Sequence, residues 1–333
     1  MRGVSVLLAL LLGAAACTSG AGSTPPEGYD AGEVDAREGC GPISYDDVRG
    51  RPPSYLPKKE LDRFANDHAV CAGVWLRTGR GFIPQGVTVA GGTAWVSGFN
   101  GASPVHYRYC IIERVDVRTG KVVDRLDPVA GQVGDRDPLK CRHGGGLVRD
   151  DHGLWLVETT RLWLIDPETL EVERVWALTP PLRGSFAVVD GGGRLGVGRW
   201  YPHRRAQVDW FDTDTILGSS VLDVTSDMAS GSTSAPPATQ GAVWGSFGGR
   251  PAAAWFAQSV TRCGVLVGPA GTHRRAFVPG AEGMDLVGDD SLWVVSEAGA
   301  KRYQDLGGRP VVPMLLRLDV SDFARWQRPH CSV

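Results

Sequence analysis

The sequence predicts an all-β chain closed into a five-bladed β-propeller. Three observations predict it. A polar residue followed by small residues and a short apolar run recurs five times, beginning at Gln85, His143, Ser185, Gln240 and Glu282. Each start is followed by a Gly- or Asp-rich turn and a second apolar run, which carries Trp95, Trp155, Trp255 or Trp293 in all but one case. The composition agrees, since 45 Gly, 22 Pro and 11 Trp against 4 Met suit many turns between short aromatic-bearing strands.

The chain opens on an address. Arg2, the uncharged run from Val4 and the small residues Ala14-Ala15-Ala16 predict a signal peptide over 1–16. That run is too short to span a bilayer as a helix. Cys17 directly after it resembles the lipidated Cys of a bacterial lipobox, with Ala14 where Leu is usual. Residues 17–57 are then a lipid-bearing Cys17, a flexible tether beginning Thr18-Ser19-Gly20 and an N-terminal segment. The expected location is the outer face of the cytoplasmic membrane, held there by lipid alone, or the medium.

Residues 58–333 are assigned to the propeller. One or two helical turns are expected over 58–66, leading into a strand over 69–76. Blade 1 reads as an inner strand from Gln85, a Trp95 strand, a third strand over 112–116 and a fourth over 121–126. Blade 2 repeats this from His143, with Trp155, a third strand over 162–166 and a fourth over 171–176. Blade 3 starts at Ser185 and places Leu195-Gly196-Val197 in the second strand, with Trp200 close by. Blade 4 starts at Gln240 and blade 5 at Glu282. Blade 5 has only three strands before the C-terminus, so the strand over 69–76 is expected to close the ring and remove an open edge. The period of roughly 40 to 60 residues is that of a propeller blade, and the tryptophans are expected to fill the space between blades. A closed ring without free edges is expected to be a monomer.

Charge and cysteines bound the chemistry. With 35 basic and 37 acidic residues the chain has no basic excess to hold a polyanion, so nucleic-acid binding is not expected. Setting Cys17 aside leaves an even set, Cys40, Cys71, Cys110, Cys141, Cys263 and Cys331, which suits three disulfides in an oxidising compartment. Cys110 begins a third strand and Cys141 precedes an inner strand, so both lie on one face of the disc and should pair. Cys40 with Cys71 and Cys263 with Cys331 are the expected partners among the rest. No clustered Cys/His pattern predicts a zinc site.

Propeller geometry gathers the starts of the inner strands and the ends of the second strands around one mouth of the central channel. The starts supply Gln85, His143, Ser185, Gln240 and Glu282; the ends supply Ser97, Glu158, Arg199, Gln258 and Glu297, with Lys301 and Arg302 beyond as a cationic lip. Gly after most of the polar starts removes a Cβ where inner strands crowd together. The candidate ligand-binding set is Gln85, His143, Glu158, Arg199, Gln240, Glu282 and Glu297. It suits a small molecule or peptide, and equally the lining of a water-filled funnel. His143 with Glu158 or Glu282 suits general acid–base chemistry. The same three suit a divalent cation. Ser185 lacks a nucleophile elbow, Gly144-Gly145-Gly146 lacks the features of a phosphate loop, and the His203 and His273 basic clusters suit solvated loops.

Pro84-Gln85-Gly86, His143-Gly144-Gly145, Gln240-Gly241, Glu282-Gly283 and the stretch Leu292 to Ala300 resemble a family of uncharacterised exported actinobacterial β-propeller proteins. That resemblance, over about residues 69–320, implies the fold and export and brings no reaction. Phe82 to Gly86 and Val115 to Lys121 resemble the first blade of secreted five-bladed glutaminyl cyclases, while the later blades depart from that pattern. Two functions follow as expectations. One is a cell-surface module that binds a ligand or peptide, or serves as a scaffold, at the channel mouth. The other is an extracytoplasmic enzyme, either a hydrolase, a lyase or a glutaminyl-cyclase-like transferase.

Overall fold

Short apolar strands that bury both faces need neighbours on both sides, and in the computed structural model they find them in a ring. The structure describes residues 39–76, 81–307 and 309–333. The signal peptide, Cys17 and the tether lie outside the described residues. Blade 1 consists of Phe82–Ala90, Thr93–Asn100, Cys110–Asp116 and Lys121–Leu126. Blade 2 is Gly146–Asp150, Gly153–Glu158, Arg161–Ile165 and Val172–Leu178, with Asp223–Val224 added parallel at its outer edge. Blade 3 is Phe186–Val189, Leu195–Gly198, Ala206–Phe211 and Gly231–Ala235. Blade 4 is Thr239–Gly245, Ala253–Val260, Cys263–Val267 and Arg275–Phe277.

Blade 5 contributes Ala281–Val287, Ser291–Ser296 and Leu315–Asp319, and its fourth strand is Val70–Val74 from the other end of the chain. Val74 pairs with Leu315 and Val70 with Leu318, antiparallel. This is the expected closure. The preceding segment packs on the same edge: the Gly41 amide donates to the Val70 carbonyl, and Arg49 bridges to Val74. All three expected disulfides are present, Cys40–Cys71, Cys110–Cys141 and Cys263–Cys331.

The core is divided among the seams of the ring. One buried cluster joins Trp95 and Ile112 of blade 1 to Leu147 and Leu156 of blade 2. A second joins Trp155 to Ala187 and Val197, and a third joins Phe186 and Trp210 to Ala242 and Phe256. A fourth joins Val243 and Trp255 to Met284 and Val294, and the last joins Trp293 and Leu315 to Val87 and Val96. Each tryptophan at these seams contributes about 3–5 kcal/mol against truncation to Ala. Trp200 is the exception at 42% exposed.

One expected element is absent. Residues 58–66 form no helix; the regular turn nearest to them is the 3-10 helix Asp67–Ala69. Long-range bonds set this segment. The Asp62 amide donates to the Val311 carbonyl, and the Val311 amide donates back to Asp62 Oδ2. Asn66 takes a left-handed conformation, φ 68°, and its side-chain amide donates to the Ala276 carbonyl at 2.8 Å. Backbone partners in blades 4 and 5 outcompete local helical bonds that the charged, weakly amphipathic segment has little apolar face to support.

Candidate functional site

The polar starts reach the channel because their strands are irregular there. Pairing in blade 1 runs Pro84 to Gly98 and then Gly86 to Ser97, leaving Gln85 as the extra residue of a β-bulge. Blade 4 skips Gln240 in the same way, and blade 5 skips Glu282 and Gly283. A bulge re-aims a side chain out of the normal alternation of a strand. The next residue then faces the neighbouring strand at very close range. A Cβ on Gly241 would stand 2.2 Å from the Glu282 carbonyl oxygen, and one on Gly283 would stand 2.6 Å from Gly86 Cα. Polar residue plus glycine is thus one device: the bulge turns the side chain inward and the glycine lets the ring close behind it.

These residues share a cavity of about 730 Å³. Gln85, His143, Glu158, Gln240, Glu282 and Glu297 all line it, as does Ser185. Contributions come from all five blades, although the residues are far apart in sequence. Arg199 is not in the lining; it turns to Asp209, 3.4 Å away. Ser97 and Gln258 are also outside it. Ser97 Oγ donates to the Gly144 carbonyl at 2.9 Å, and Gln258 accepts from Arg274 Nη1, also at 2.9 Å, so both tie loops together.

The deep end is acidic. Glu282 and Glu297 are buried, and Glu282 Oε1 has no hydrogen-bond partner. Burial, reinforced by the Glu297 charge, pushes the Glu282 carboxyl well above the ordinary range. Burial pushes Glu297 up to about 7, although hydrogen bonds from Tyr303 and Gln85 favour its charged form. The Gln85 amide donates to Glu297 Oε2 at 3.3 Å, across the seam between blades 1 and 5. Tyr303 is raised in turn by burial and by Glu297. It comes from the short helix Lys301–Gln304, directly after the last inner hairpin.

The outer wall is cationic. Arg108, Lys140, Arg142 and Arg161 line it. Arg161 is committed to Glu158, with Nη1 donating to Oε1 at 2.7 Å. Burial still raises Glu158, with Arg161 and Arg142 opposing it. Arg142 reaches Glu158 through its backbone amide and its charge, but forms no direct side-chain ion pair among the described residues. Lys140 stands 4.7 Å from the centre of the Tyr109 ring. Cys110–Cys141 fixes this wall, because Lys140, Arg142 and His143 flank one half-cystine and Arg108 lies near the other.

His143 has a left-handed backbone, φ 82°, and its ring stacks on Phe99 with centroids 4.6 Å apart. The residue is exposed to solvent, yet neighbouring protein partly buries its ring. That burial, followed by Arg108, lowers its pKa, so the neutral imidazole is favoured. The expected pairing of His143 with Glu158 is not formed, since Glu158 belongs to Arg161. The expected divalent-cation cage is not formed either: among the described residues no three His, Cys, Asp or Glu side chains come together as a ligand set. Glu282 lies with Glu297 at the deep end, and Glu158 is held at the wall. The expected cationic lip is also displaced. Lys301 pairs with Asp305 at 2.8 Å on the surface, and neither it nor Arg302 is in the lining.

Sequence reasoning missed Arg108, Lys140, Arg142, Arg161, Trp200 and Tyr303. The first three had a readable signal, their position next to two cysteines already placed on the mouth face. Tyr303 had none beyond its nearness to Glu297.

No family model matches the chain, and no curated protein matches it. Solved structures of similar fold do. A PQQ-bound aldose sugar dehydrogenase from Streptomyces coelicolor is 15% identical, covering 81% of this chain and 99% of that one, with a TM-score of 0.38. The calcium-binding protein regucalcin from Agrobacterium tumefaciens is 11% identical, covering 75% and 94%, with a TM-score of 0.40. A puromycin-hydrolysing peptidase from Mycobacterium tuberculosis is 13% identical over 65% of this chain and 34% of its own, with a TM-score of 0.26. Likeness at this level carries no argument about activity or ligand.

Proposed function

We propose that this chain is an exported β-propeller, anchored through a lipid on Cys17, that binds a small molecule or peptide in the mouth of its central channel. The observation that carries this reading is the convergence of bulged polar residues from separate blades on one cavity whose buried Glu282 Oε1 lacks a partner. A buried acceptor without a partner costs about 1–3 kcal/mol, and a ligand donor removes that cost. Three disulfides and the absence, among the described residues, of a helix long and apolar enough to cross a membrane agree with export. The test is ligand-observed NMR of the purified full chain against a library of polar metabolites. Binders should be lost in Glu282→Gln without loss of thermal stability. Binders that persist unchanged in that variant would place the site elsewhere.

A second reading is an extracytoplasmic enzyme, a hydrolase, lyase or glutaminyl-cyclase-like transferase. It is favoured by one observation, a Glu297 carboxyl held at about 7 beside a second carboxyl that keeps its proton. Such a pair has an acid and a base within one site at neutral pH. In this reading Glu297 and Glu282 carry the proton transfers, Tyr303 orients Glu297, and His143 and Glu158 line the wall. Turnover of a binder by the wild type but not by Glu297→Gln would distinguish the enzyme from the module.

A further inference from the structure

The cavity has two poles of opposite character. Resting on the ligand-binding assignment, we infer that the ligand is a zwitterion of amino-acid or short-peptide type, with its ammonium between Glu282 and Glu297 and its carboxylate on Arg142, Lys140 and Arg108.

The acidic pole carries the first half of the inference. Two carboxyl groups that line the cavity are buried together at its deep end, and one of them, Glu282, has a buried oxygen without a partner. Gln85 and Tyr303 satisfy part of Glu297, and Arg302 and Arg309 act on Glu297 from outside the cavity. Tyr303 is also within electrostatic reach of Glu282, yet Glu282 Oε1 has no hydrogen-bond partner. Like charges at this range cannot both ionise cheaply in a buried site unless a cation comes between them. The described residues offer no set of three ligands for a metal ion. An ammonium group needs no such cage. It is a compact point charge with three donors, and two carboxylates with a free oxygen suit it.

The cationic pole carries the second half. Arg161 is neutralised by Glu158, Arg142 acts on the same carboxylate without a direct ion pair among the described residues, and Lys140 and Arg108 rest on aromatic rings. All three are set beside the Cys110–Cys141 bridge, so they present a fixed anion site. A ligand with an anion alone would leave Glu282 unsatisfied. A ligand with a cation alone would leave this arc unsatisfied.

The test uses free alanine, dialanine, trialanine and tetra-alanine, whose methyl side chains add no recognition of their own and whose length scans the separation of the charges. Each peptide is compared with its N-acetylated and C-amidated forms by isothermal titration on the full chain near neutral pH. One length should bind best, and blocking either end should weaken it on the order of tenfold or more. Glu282→Gln should abolish the penalty for acetylation, and Arg142→Ala the penalty for amidation. Binding should also release protons, seen as a buffer-dependent enthalpy, as the ammonium draws Glu297 into its ionised form. Blocked peptides that bind as well as the parent would overturn the inference. If no peptide binds while library compounds bind in a Glu282-dependent way, the zwitterion falls and the ligand-binding assignment stands. If neither binds, both fall.

Discussion

Replacing Glu297 with Gln removes one proton from the accounting of the deep pole and leaves its shape intact. The carboxamide oxygen introduced there would still accept the Tyr303 hydroxyl and the Gln85 amide. In the wild type the folded carboxyl keeps its proton until about 7, from an ordinary value of 4.5. The unfolded carboxyl releases its proton near that ordinary value. Between the two the folded state binds more protons, so stability is fully present below the unfolded value and is lost as pH rises through the folded one. At 1.36 kcal/mol per unit the loss is about 3 kcal/mol. Glu297 is only 8% exposed, so solvent does not screen much of this away. The assay is urea denaturation of wild type and variant at about pH 3.5 and about pH 8, conditions that bracket the two pKa values. The variant should gain about 3 kcal/mol on the wild type between those conditions, because every other titrating group is common to both chains. Parallel stability curves would refute the raised carboxyl and with it the acidic pole.

Three further outcomes follow from the same structure. Cys110→Ser with Cys141→Ser opens a bridge spanning a separation of 31 residues, which should cost about 4 kcal/mol in urea denaturation and weaken binding beyond that by freeing Lys140 and Arg142. Gly283→Ala puts a Cβ 2.6 Å from Gly86 Cα and should cost about 3 kcal/mol or more in the same assay, whereas Gly231→Ala, with nothing within 4 Å, should be nearly neutral. Cys17→Ser should move the protein from the membrane fraction to the medium or leave it uncleaved, and normal cleavage with membrane retention would end the lipoprotein assignment.

The parts of this molecule that were legible in the sequence are those written in short local patterns. Polar-Gly starts located four of the five inner strands, with the weaker Gly184-Ser185 start marking the third, and the shortage of a fourth strand after Asp319 pointed to residues 69–76 as the closing strand. The Cys110–Cys141 bridge was readable because strand order places both cysteines on one face, which left the other two pairs to be formed among the remaining four. What was not legible depends on partners distant in sequence. Residues 58–66 look locally able to start a helix, yet bonds to Val311, Ala276 and Gln327 hold them in an irregular path. Arg199 sits at the right point in its blade, but Asp209 on the next strand captures it. Blade 3 reaches its outer strand Gly231–Ala235 only after the short helix Thr213–Leu217, and neither has the Trp-rich run that marked the other strands. The bulges at Gln85, Gln240 and Glu282 leave no signal except the glycine that follows, and that glycine suggests crowding without saying which way the preceding side chain turns.

The candidate site also borders the blade that closes the ring. A propeller closed by strands from both chain ends has one pairing that no short connection holds, here Val70–Val74 with Leu315–Asp319 inside blade 5, the blade that also forms the seam with blade 1. Three contacts cross it near the mouth: Gln85 to Glu297, Gly86 against Gly283, and Asp285, which accepts from Thr88 Oγ1 and from the Val89 amide at 2.6 Å. Asp285 is half-buried and serves closure alone, because both its partners are structural. Glu297 is different: it crosses the seam to Gln85 and also faces the cavity beside Glu282, where ionisation is disfavoured. The seam therefore carries a destabilising carboxyl pair that the Asp285 clamp, further along the same inner strand as Glu282, offsets. A cation that entered between Glu282 and Glu297 would relieve that pair and tighten the junction of the two chain ends. Binding at the mouth should then protect the Val70–Val74 and Leu315–Asp319 pairing from hydrogen exchange more than it protects blade 3, whose strands touch the cavity but not the seam. Equal protection of all five blades would show that the ligand reads the mouth without acting on closure.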